Sequence, residues 1–443
     1  MSPDDPAPLM VAPFRLDSLH EPAPAPPDQR EHRRHAARSR RRRRSRFLVA
    51  LVVVLLVLLG SAGAFAGARL SATDPPPEVT AVVSRAVAVP ARSVTLPWPA
   101  TGQAAIAIPS IGVDVPSGAE QPVPVASLTK LMTAYVILRD HPLTADETGP
   151  TITVTQADVD DYDHDTVNDD SNAPVVVGEQ LTEQQVLSGL LVHSADNYAD
   201  LLARWDAGST TAFVAKMNAA AAALGMAHSH FDDASGISPA SVSTASDVLK
   251  VAGPDMANPV VAAIVRHTSV TLPIAGTLST YTPLIGLQGI IGVKSGYTDA
   301  AGGCDVLGVV REVHGRPVLL LAAVTGQRGV AVLAQAGLHG LALVNAVAPL
   351  IGTTPVMQEG QLIAHVSEAG RTVGAGAGAS ASLLTWPGVT ATRAFHQAGH
   401  LSDQARRGAR VGTVEVTLGL QRVAVPVRLQ QDVPRRSLWQ RLF

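Results

Sequence analysis

Ser127 and Lys130 are the pair of side chains in this sequence best suited to nucleophilic catalysis. They begin an almost wholly apolar stretch, residues 125–140, whose spacing of large apolar residues predicts a helix. Residues three positions apart share one face of a helix, so the lysine amine can reach the serine hydroxyl. A neighbouring base activates a serine, and a partly desolvated lysine can be that base. The pair therefore predicts a serine nucleophile with a lysine base; the simpler alternative is that Ser127 only caps the helix.

Two further groups can bind a substrate or move a proton. Lys294, Ser295 and Gly296 predict an edge strand that faces a cleft, where the cation and the hydroxyl hold a carboxylate and the glycine admits the ligand. The alternative is an exposed lysine on a strand before a turn. The segment Ser194-Ala195-Asp196-Asn197 lies in a short break between two predicted helices. Its side chains can cap those helices or line a cleft and relay a proton.

The hydrophobic pattern predicts the elements that hold these groups. Residues 102–115 alternate as a hairpin, and a capping box at Thr182–Gln185 opens a helix that ends near Val192. Further helices are predicted at 211–225, 244–265 and 328–349, and a buried strand at 316–324. Residues 412–418 and 422–429 alternate as a second hairpin, and 374–380 is predicted to be a loop. The composition shift near residue 352 predicts two domains, 95–352 and a small β-rich domain at 353–432.

The N-terminal region predicts a membrane anchor. Residues 1–46 are rich in Pro, Ala and Arg and are predicted to be a disordered cytoplasmic tail. Residues 47–68 carry no charge and are long enough to span a bilayer, and the arginine run before them places everything after Arg69 outside. A cleaved signal peptide is the alternative. Residues 69–94 are predicted to be a linker, and 433–443 a basic, aromatic tail that can touch lipid. The acidic body argues against nucleic acid as a partner.

The order S-x-x-K, S-x-N-like, K-[TS]-G resembles the signature of penicillin-recognising serine enzymes. The flanks VASLTKLMTAYVIL, GEQLTEQQVLSGLLVHSADNYADLLA and GVKSGYTDAAGGC resemble those of D-alanyl-D-alanine carboxypeptidases of the low-molecular-mass penicillin-binding protein class. The resemblance runs from about Pro97 to Leu350 and is weaker beyond. It implies an α+β fold of the β-lactamase/transpeptidase type, with an antiparallel sheet flanked by helices and then a small β-rich domain.

The resemblance also implies a role for each motif residue. Ser127 attacks the D-Ala-D-Ala carbonyl, Lys130 takes its proton, and Ser194 relays a proton to the leaving D-alanine. Lys294 and Ser295 hold the terminal carboxylate, and the backbone N–H groups of Ser127 and Tyr297 form the oxyanion hole. The other residues expected to contact the substrate are Gly296, Thr298, Asp196, Asn197 and, from a family arginine after the last strand, Arg328.

Two departures from the motifs qualify this assignment. Ser295 replaces the threonine of K-T-G and keeps its hydroxyl. Asp196 replaces the asparagine of S-x-N, and an ionised carboxylate cannot donate a hydrogen bond. Either Asn197 turns into the site or the site is altered.

Other clusters are expected to be structural. Residues 158–170 contain seven aspartates but lack the Gly and Glu of an EF-hand, so we expect a solvated acidic loop. His228, His230, Asp232 and Asp233 can bind a metal, but their segment resembles a structural one in the family. His193 cannot face the adjacent Ser194 on a helix. Cys304, the one cysteine, excludes an intramolecular disulfide and is expected to be buried.

The sequence therefore predicts a membrane-anchored D-Ala-D-Ala carboxypeptidase that acts on peptidoglycan stem peptides and is acylated by β-lactams, with no metal or organic cofactor. Two alternatives stay open. A β-lactamase-like hydrolase would need a deacylating base, and no E-x-x-L-N-like motif follows Ser194. A catalytically weak protein that binds the cell wall is the other, because of Asp196.

Overall fold

The computed structural model describes residues 29–72, 76–434 and 436–442, with side chains from residue 43 onward. The described chain forms two compact units. One contains the residues up to 72 together with 436–442, and the other contains 76–434. The two domains predicted at 95–352 and 353–432 therefore lie within one compact unit, together with residues 76–94.

The helices and strands are numbered in chain order. The helices are α1 (Gln29–Ser71), α2 (Thr129–Asp140), α3 (Gln156–Val167), α4 (Glu183–Val192), α5 (Asp196–Ala207), α6 (Thr210–Ala223), α7 (Ala245–Ala257), α8 (Pro259–Ile264), α9 (Val332–Val347) and α10 (Leu438–Leu442), with 3-10 turns at Ala126–Leu128, Leu287–Gly289 and Ala348–Leu350. The strands are β1 (Glu78–Ala81), β2 (Ala86–Ala88), β3 (Gln103–Ile108), β4 (Val113–Pro116), β5 (Val123–Pro124), β6 (Thr151–Thr153), β7 (Gln180–Thr182), β8 (Val242–Ser243), β9 (Ser269–Leu272), β10 (Gly276–Ser279), β11 (Ile290–Thr298), β12 (Gly302–Val313), β13 (Arg316–Gln327), β14 (Gly352–Met357), β15 (Leu362–Glu368), β16 (Arg371–Ala377), β17 (Ala381–Thr385), β18 (Thr390–Gln397), β19 (Arg410–Leu418) and β20 (Gln421–Leu429).

Helix α1 contains the predicted membrane segment. Residues 43–71 of this helix are long and apolar enough to cross a bilayer, and the large apolar side chains from Phe47 to Leu59 are exposed. The helix begins at Gln29, so residues 29–46 are helical, in contrast to the predicted disorder. The prediction for residues 1–28 lies outside the described residues. A second apolar stretch, Val332–Leu350, is partly buried, because α9 packs against the central sheet.

The central sheet of the second unit has the order β11-β12-β13-β3-β4, and all its neighbouring strands are antiparallel. Side chains alternate between the two faces of a strand. On β3, Ala105 and Ala107 belong to the apolar cluster that contains α2 and α7, whereas Ala104, Ile106 and Ile108 belong to the cluster that contains α9. Helices therefore cover both faces, and the predicted fold class is confirmed.

Helices α4 to α7 all contact α2, whose side chains are almost all buried. The predicted capping box is confirmed, because the Thr182 hydroxyl accepts a hydrogen bond from the Gln185 N–H at the start of α4. The predicted helix over 244–265 is divided in two, since Asn258 caps a new helix that begins at Pro259. Residues 158–170 are predicted to be an acidic loop, but most of them belong to helix α3, so this prediction is wrong.

A seven-stranded antiparallel sheet, β1-β15-β16-β20-β19-β18-β2, forms the rest of the unit together with the pair β14–β17. The prediction of a β-rich region after residue 352 agrees with this sheet. Two details differ. The predicted linker at 69–94 contains β1 and β2, which pair with β15 and β18 at the two edges of the sheet. Residues 374–377, predicted to be a loop, belong to β16, where a Cβ on Gly374 or Gly376 would collide with the side chain of Gln430.

Candidate active site

Ser127 and Lys130 meet at the start of α2. Ser127 lies in the 3-10 turn that leads into the helix, and Lys130 lies one turn further along. The Lys130 Nζ is 2.9 Å from the Ser127 Oγ, so the predicted contact is present. The N-cap residues of this turn and of α2 are Val125 and Leu128, so Ser127 is the cap of neither. Its hydroxyl faces the lysine, which favours the catalytic interpretation over a capping role.

Lys130 is fully buried and makes three hydrogen bonds. Besides Ser127, its Nζ donates to the Asp196 Oδ1 at 2.5 Å and to the Ser235 carbonyl oxygen at 3.0 Å. Three acceptors match the three protons of an ammonium group. Burial raises the pKa of Asp196 above its usual range, and the nearby Lys130 charge partly offsets this rise. Lys130 and Asp196 thus form a buried ion pair directly beneath the candidate nucleophile.

The segment between α4 and α5 brings Ser194 and Asp196 to the site. Ser194 has a left-handed backbone (φ 65°), and its Oγ accepts a hydrogen bond from the Lys294 Nζ at 2.9 Å. Asn197 points elsewhere. Its side-chain amide bonds the backbone N–H and carbonyl of Ala173, at 3.0 and 2.9 Å. Asn197 therefore braces a loop and does not replace the missing amide at position 196.

Strand β11 forms the opposite wall and lies at the edge of the central sheet, as predicted. Lys294 is buried, and its Nζ also donates to the Ser295 carbonyl at 2.7 Å. Burial, with the nearby Lys130, holds the pKa of Lys294 well below its usual value. Strand β11 and the turn of Ser127 approach each other so closely at Gly296 that a side chain does not fit there. A Cβ at this position would lie 2.6 Å from the Ser127 backbone nitrogen. This contact keeps β11 against the 3-10 turn of the nucleophile.

A cleft of about 240 Å³ joins these groups. Its polar floor contains the Ser127, Ser194, Asp196 and Ser295 side chains, and its rim carries partly exposed Ile237, Tyr281 and Tyr297. The complete lining is Ser127, Asp169, Asp170, Ser171, Ser194, Asp196, Gly236, Ile237, Tyr281, Ser295, Gly296, Tyr297, Thr298 and Leu333. One cleft therefore brings together residues from all three motifs.

Arg328 is not among the cleft residues. Its guanidinium donates to the carbonyl oxygens of Asp299 and Ala300, at 2.6 and 2.7 Å, and so bridges the turn after β11. These hydrogen bonds hold that turn, and the contact of Arg328 with a substrate carboxylate stays a prediction.

The loop over 233–237 also reaches the site, which the sequence did not predict. Its Ser235 carbonyl accepts from Lys130, and Asp233 shapes it by accepting hydrogen bonds from the Gly236 N–H, the Ser238 N–H and the Ser241 hydroxyl. The segment Asp233-Ala234-Ser235-Gly236 contains the residue types that favour such a turn. The sequence predicts a structural role for the segment that contains Asp233, but not its contact with Lys130.

We expect Gly236→Ala to weaken both stability and acylation. Gly236 has φ +90°, and a Cβ there would lie 2.0 Å from the Ala126 carbonyl oxygen. The loop must move, and Ser235 moves with it, at a cost of about 2 to 4 kcal/mol. Gly225→Ala is the matched control, since Gly225 has φ +70° but open space around it. Equal losses of melting temperature and of acylation rate in the two variants would contradict this prediction.

The alternative sites have structural partners. Asp158 and Asp161 bind the Arg204 guanidinium, each at 2.5 Å, which ties α3 to α5. In the part of the chain that is described, no three His, Cys or acidic side chains are grouped to hold a metal ion. The His193 Nδ1 lies 2.7 Å from the Ser279 carbonyl, and its ring stacks on Tyr281. Cys304 is buried, which raises the pKa of its thiol to about 11.

Comparison with known proteins agrees with this geometry. A sequence profile described as D-alanyl-D-alanine carboxypeptidase (peptidase S11) matches residues 115–321. The chain is similar to a D-alanyl-D-alanine carboxypeptidase of Streptomyces sp. strain K15, with 34% identity over 203 residues, covering 42% of this chain and 67% of that protein. It is also similar to a D-alanyl-D-alanine endopeptidase of Pseudomonas aeruginosa, with 32% identity over 197 residues, covering 42% of this chain and 59% of that one.

Solved structures give the same result for the fold. The crystal structure of the Streptomyces K15 DD-transpeptidase superposes with a TM-score of 0.51 at 26% identity, covering 57% of this chain and 98% of that one. Penicillin-binding protein 5 of Haemophilus influenzae covers more of the chain, 77%, and is itself covered completely, with a TM-score of 0.54 at 18% identity. The second likeness extends the shared fold beyond the catalytic region.

Proposed function

We propose that this chain, which belongs to the D-alanyl-D-alanine carboxypeptidase family, is a serine-type enzyme that removes the terminal D-alanine from peptidoglycan stem peptides. The observation that carries the proposal is the contact between the Lys130 Nζ and the Ser127 Oγ at the floor of the cleft. A base within hydrogen-bond distance is the geometry that serine nucleophiles require.

The proposed reaction begins when the Ser127 Oγ attacks the carbonyl carbon of the D-Ala-D-Ala bond. Lys130 in its neutral form accepts the hydroxyl proton as the C–O bond forms. The backbone N–H groups of Ser127 and Tyr297 stabilise the oxyanion, since fixed dipoles in a cleft oppose the developing charge. The C–N bond then breaks, and the leaving D-alanine nitrogen takes a proton. Water completes the cycle by hydrolysing the ester on Ser127.

Lys294, Ser194 and Ser295 serve the other end of the substrate. The Lys294 Nζ lies within 2.9 Å of the Ser194 Oγ, so the pair connects the carboxylate subsite with the leaving group. A bound terminal carboxylate would supply the anion that favours a charged Lys294. Ser194 can then pass a proton to the departing amine. The same subsite suits the carboxylate of a β-lactam, which would acylate Ser127.

We further propose that α1 anchors the enzyme as a single-pass membrane protein. The span at 47–68 follows an arginine-rich segment, and such segments stay on the cytoplasmic side. The catalytic unit would then face the cell wall outside the membrane.

The test is the release of free D-alanine from a peptide that ends in D-Ala-D-Ala, measured by mass spectrometry with the whole chain in detergent. A peptide that ends in D-Ala-L-Ala is the control substrate. We expect release from the first peptide only, a penicillin adduct that maps to Ser127, and loss of release after adduct formation. A folded chain that releases no D-alanine would contradict the proposed activity. Release without an adduct on Ser127 would contradict the serine mechanism.

A further inference from the structure

We propose that Asp196 is a positioning residue that keeps Lys130 charged in the resting site and thereby shifts the activation of Ser127 to alkaline pH. This inference rests on the proposed function, because it concerns the same nucleophile and base. It follows from the aspartate at a motif position where the family pattern has an asparagine.

The ion pair is direct and shielded from solvent. The Asp196 Oδ1 lies 2.5 Å from the Lys130 Nζ, and the two side chains are 5% and 0% exposed. Opposite charges at this distance favour each other's charged form, and low solvent access strengthens the effect. An asparagine side chain can accept the same hydrogen bond without a charge. The carboxylate therefore stabilises the ammonium form of Lys130, which has no lone pair to accept the Ser127 proton.

Other charged groups near Asp196 do not replace it. Two cations, Lys130 on α2 and Lys294 on β11, interact with it electrostatically. The acids that do so are Asp170, Asp165 on α3 and Asp200 on α5. Burial raises the pKa of both Asp165 and Asp200 to about 7, so they carry only part of their charge at neutral pH. Among the described residues, Asp196 is the acid that touches Lys130.

The consequence is an additional step before acylation. Lys130 must first lose one proton to solvent. Its nitrogen then accepts the Oγ proton of Ser127 as the Oγ–C bond forms, and that proton later leaves with the departing nitrogen. The rate of acylation therefore follows the fraction of neutral Lys130, which rises with pH.

The experiment measures the acylation rate of the full chain in detergent with a saturating fluorescent penicillin, between pH 6 and 10. At saturation the acylation rate no longer depends on how tightly the penicillin binds. Differences in binding that arise from Lys294, or from the amide that Asp196→Asn introduces, therefore do not affect the measured rate. For the unchanged chain we expect the rate to rise by up to about tenfold per pH unit between pH 7 and 9, because one proton must leave the Lys130–Asp196 pair before acylation. For Asp196→Asn we expect the rise to occur about one to three pH units lower, so that acylation at pH 7 is faster by about tenfold or more.

Asp200→Asn is the matched control, because Asp200 is an acid one turn along the same helix with no contact to Lys130. It should keep the profile of the unchanged chain. An unshifted profile for Asp196→Asn, or the same shift for Asp200→Asn, would overturn the inference. If Asp196→Asn does not fold, the unchanged chain alone still tests the inference. An acylation rate that does not change between pH 7 and 9 would mean that no proton has to leave before acylation, and this result would also overturn the inference. Each of these three results leaves the proposed function standing. A chain that is acylated at no pH and releases no D-alanine contradicts both the proposed function and this inference.

Discussion

Replacement of Lys130 by methionine should reduce the rate of Ser127 acylation by about 10²- to 10⁴-fold, the range that a positioned general base contributes. Methionine fills a similar volume in the buried position but cannot accept the Oγ proton. Labelling with a fluorescent penicillin measures the rate, and Ser127→Ala sets the background. A Lys130→Met chain that is labelled as fast as the unchanged chain would remove Lys130 from the mechanism.

The same variant should also be less stable, for a separable reason. Without Lys130, Asp196 is a buried carboxylate with no directly bonded cation, and breaking a buried pair in this way costs about 3 to 5 kcal/mol. The loss of Lys130 raises the pKa of Asp196 further above its unfolded value. A group of this kind stabilises the fold below its unfolded pKa, and that stability is lost as pH rises through the folded pKa. The deficit of Lys130→Met should therefore grow from pH 4 to pH 8.

The double variant Lys130→Met with Asp196→Asn separates the two effects. It removes the unpaired charge, so its melting temperature should recover and should lose the extra dependence on pH. Its acylation rate should stay as low as that of Lys130→Met, because no base has been restored. Recovery of acylation in the double variant, or equal melting temperatures for all three chains at pH 8, would contradict this account of the ion pair.

The candidate site was predictable where its geometry is local. Ser127 and Lys130 are one helical turn apart, so their contact follows from the period of the helix alone. The edge position of Lys294 followed from the pattern around Gly296. The meeting of these groups across the cleft depends on long-range packing, such as the approach of Gly296 to the Ser127 backbone nitrogen. From the sequence, only the family resemblance predicts that the three motifs meet in one site.

The contacts that the sequence could not predict share a physical cause. Asn197 and Arg328 hydrogen-bond backbone groups of neighbouring loops, and no periodicity records such partners. Helix α3 is rich in aspartate, which is a poor helix former, but its Asp158 completes a capping box with Thr155 and joins Asp161 on Arg204. Tertiary contacts therefore decided the structure of the acidic segment. The strands at 78–81 and 86–88 are only four and three residues long, too short to show an alternating pattern.

Those two short strands should nevertheless carry much of the stability of the β-rich sheet. A chain that begins at Pro76 contains β1 and β2, whereas one that begins at Pro90 leaves β15 and β18 as open edges. The loss removes the half-buried Val79, Val83 and Val87 from the apolar cluster, together with backbone bonds such as Arg393 N–H to the Arg85 carbonyl. We expect a cost of about 3 kcal/mol or more, and a melting temperature lower by about 5 °C or more.

Point substitutions within the longer chain test the same idea without removing residues. Val87→Asp places a charge against the apolar cluster at the β18 edge, whereas Val82→Asp alters a side chain that is 45% exposed in the connection between β1 and β2. The first should lower the melting temperature and promote association, since an unpaired edge strand offers free backbone groups to a second chain. The second should change either property little. The contrary result has two parts: the two variants behave alike, and the chain that begins at Pro90 keeps its melting temperature. Residues 76–89 would then be the passive linker that their composition suggests. A selective effect of Val87→Asp would instead make the segment after the membrane helix a structural part of the β-rich sheet.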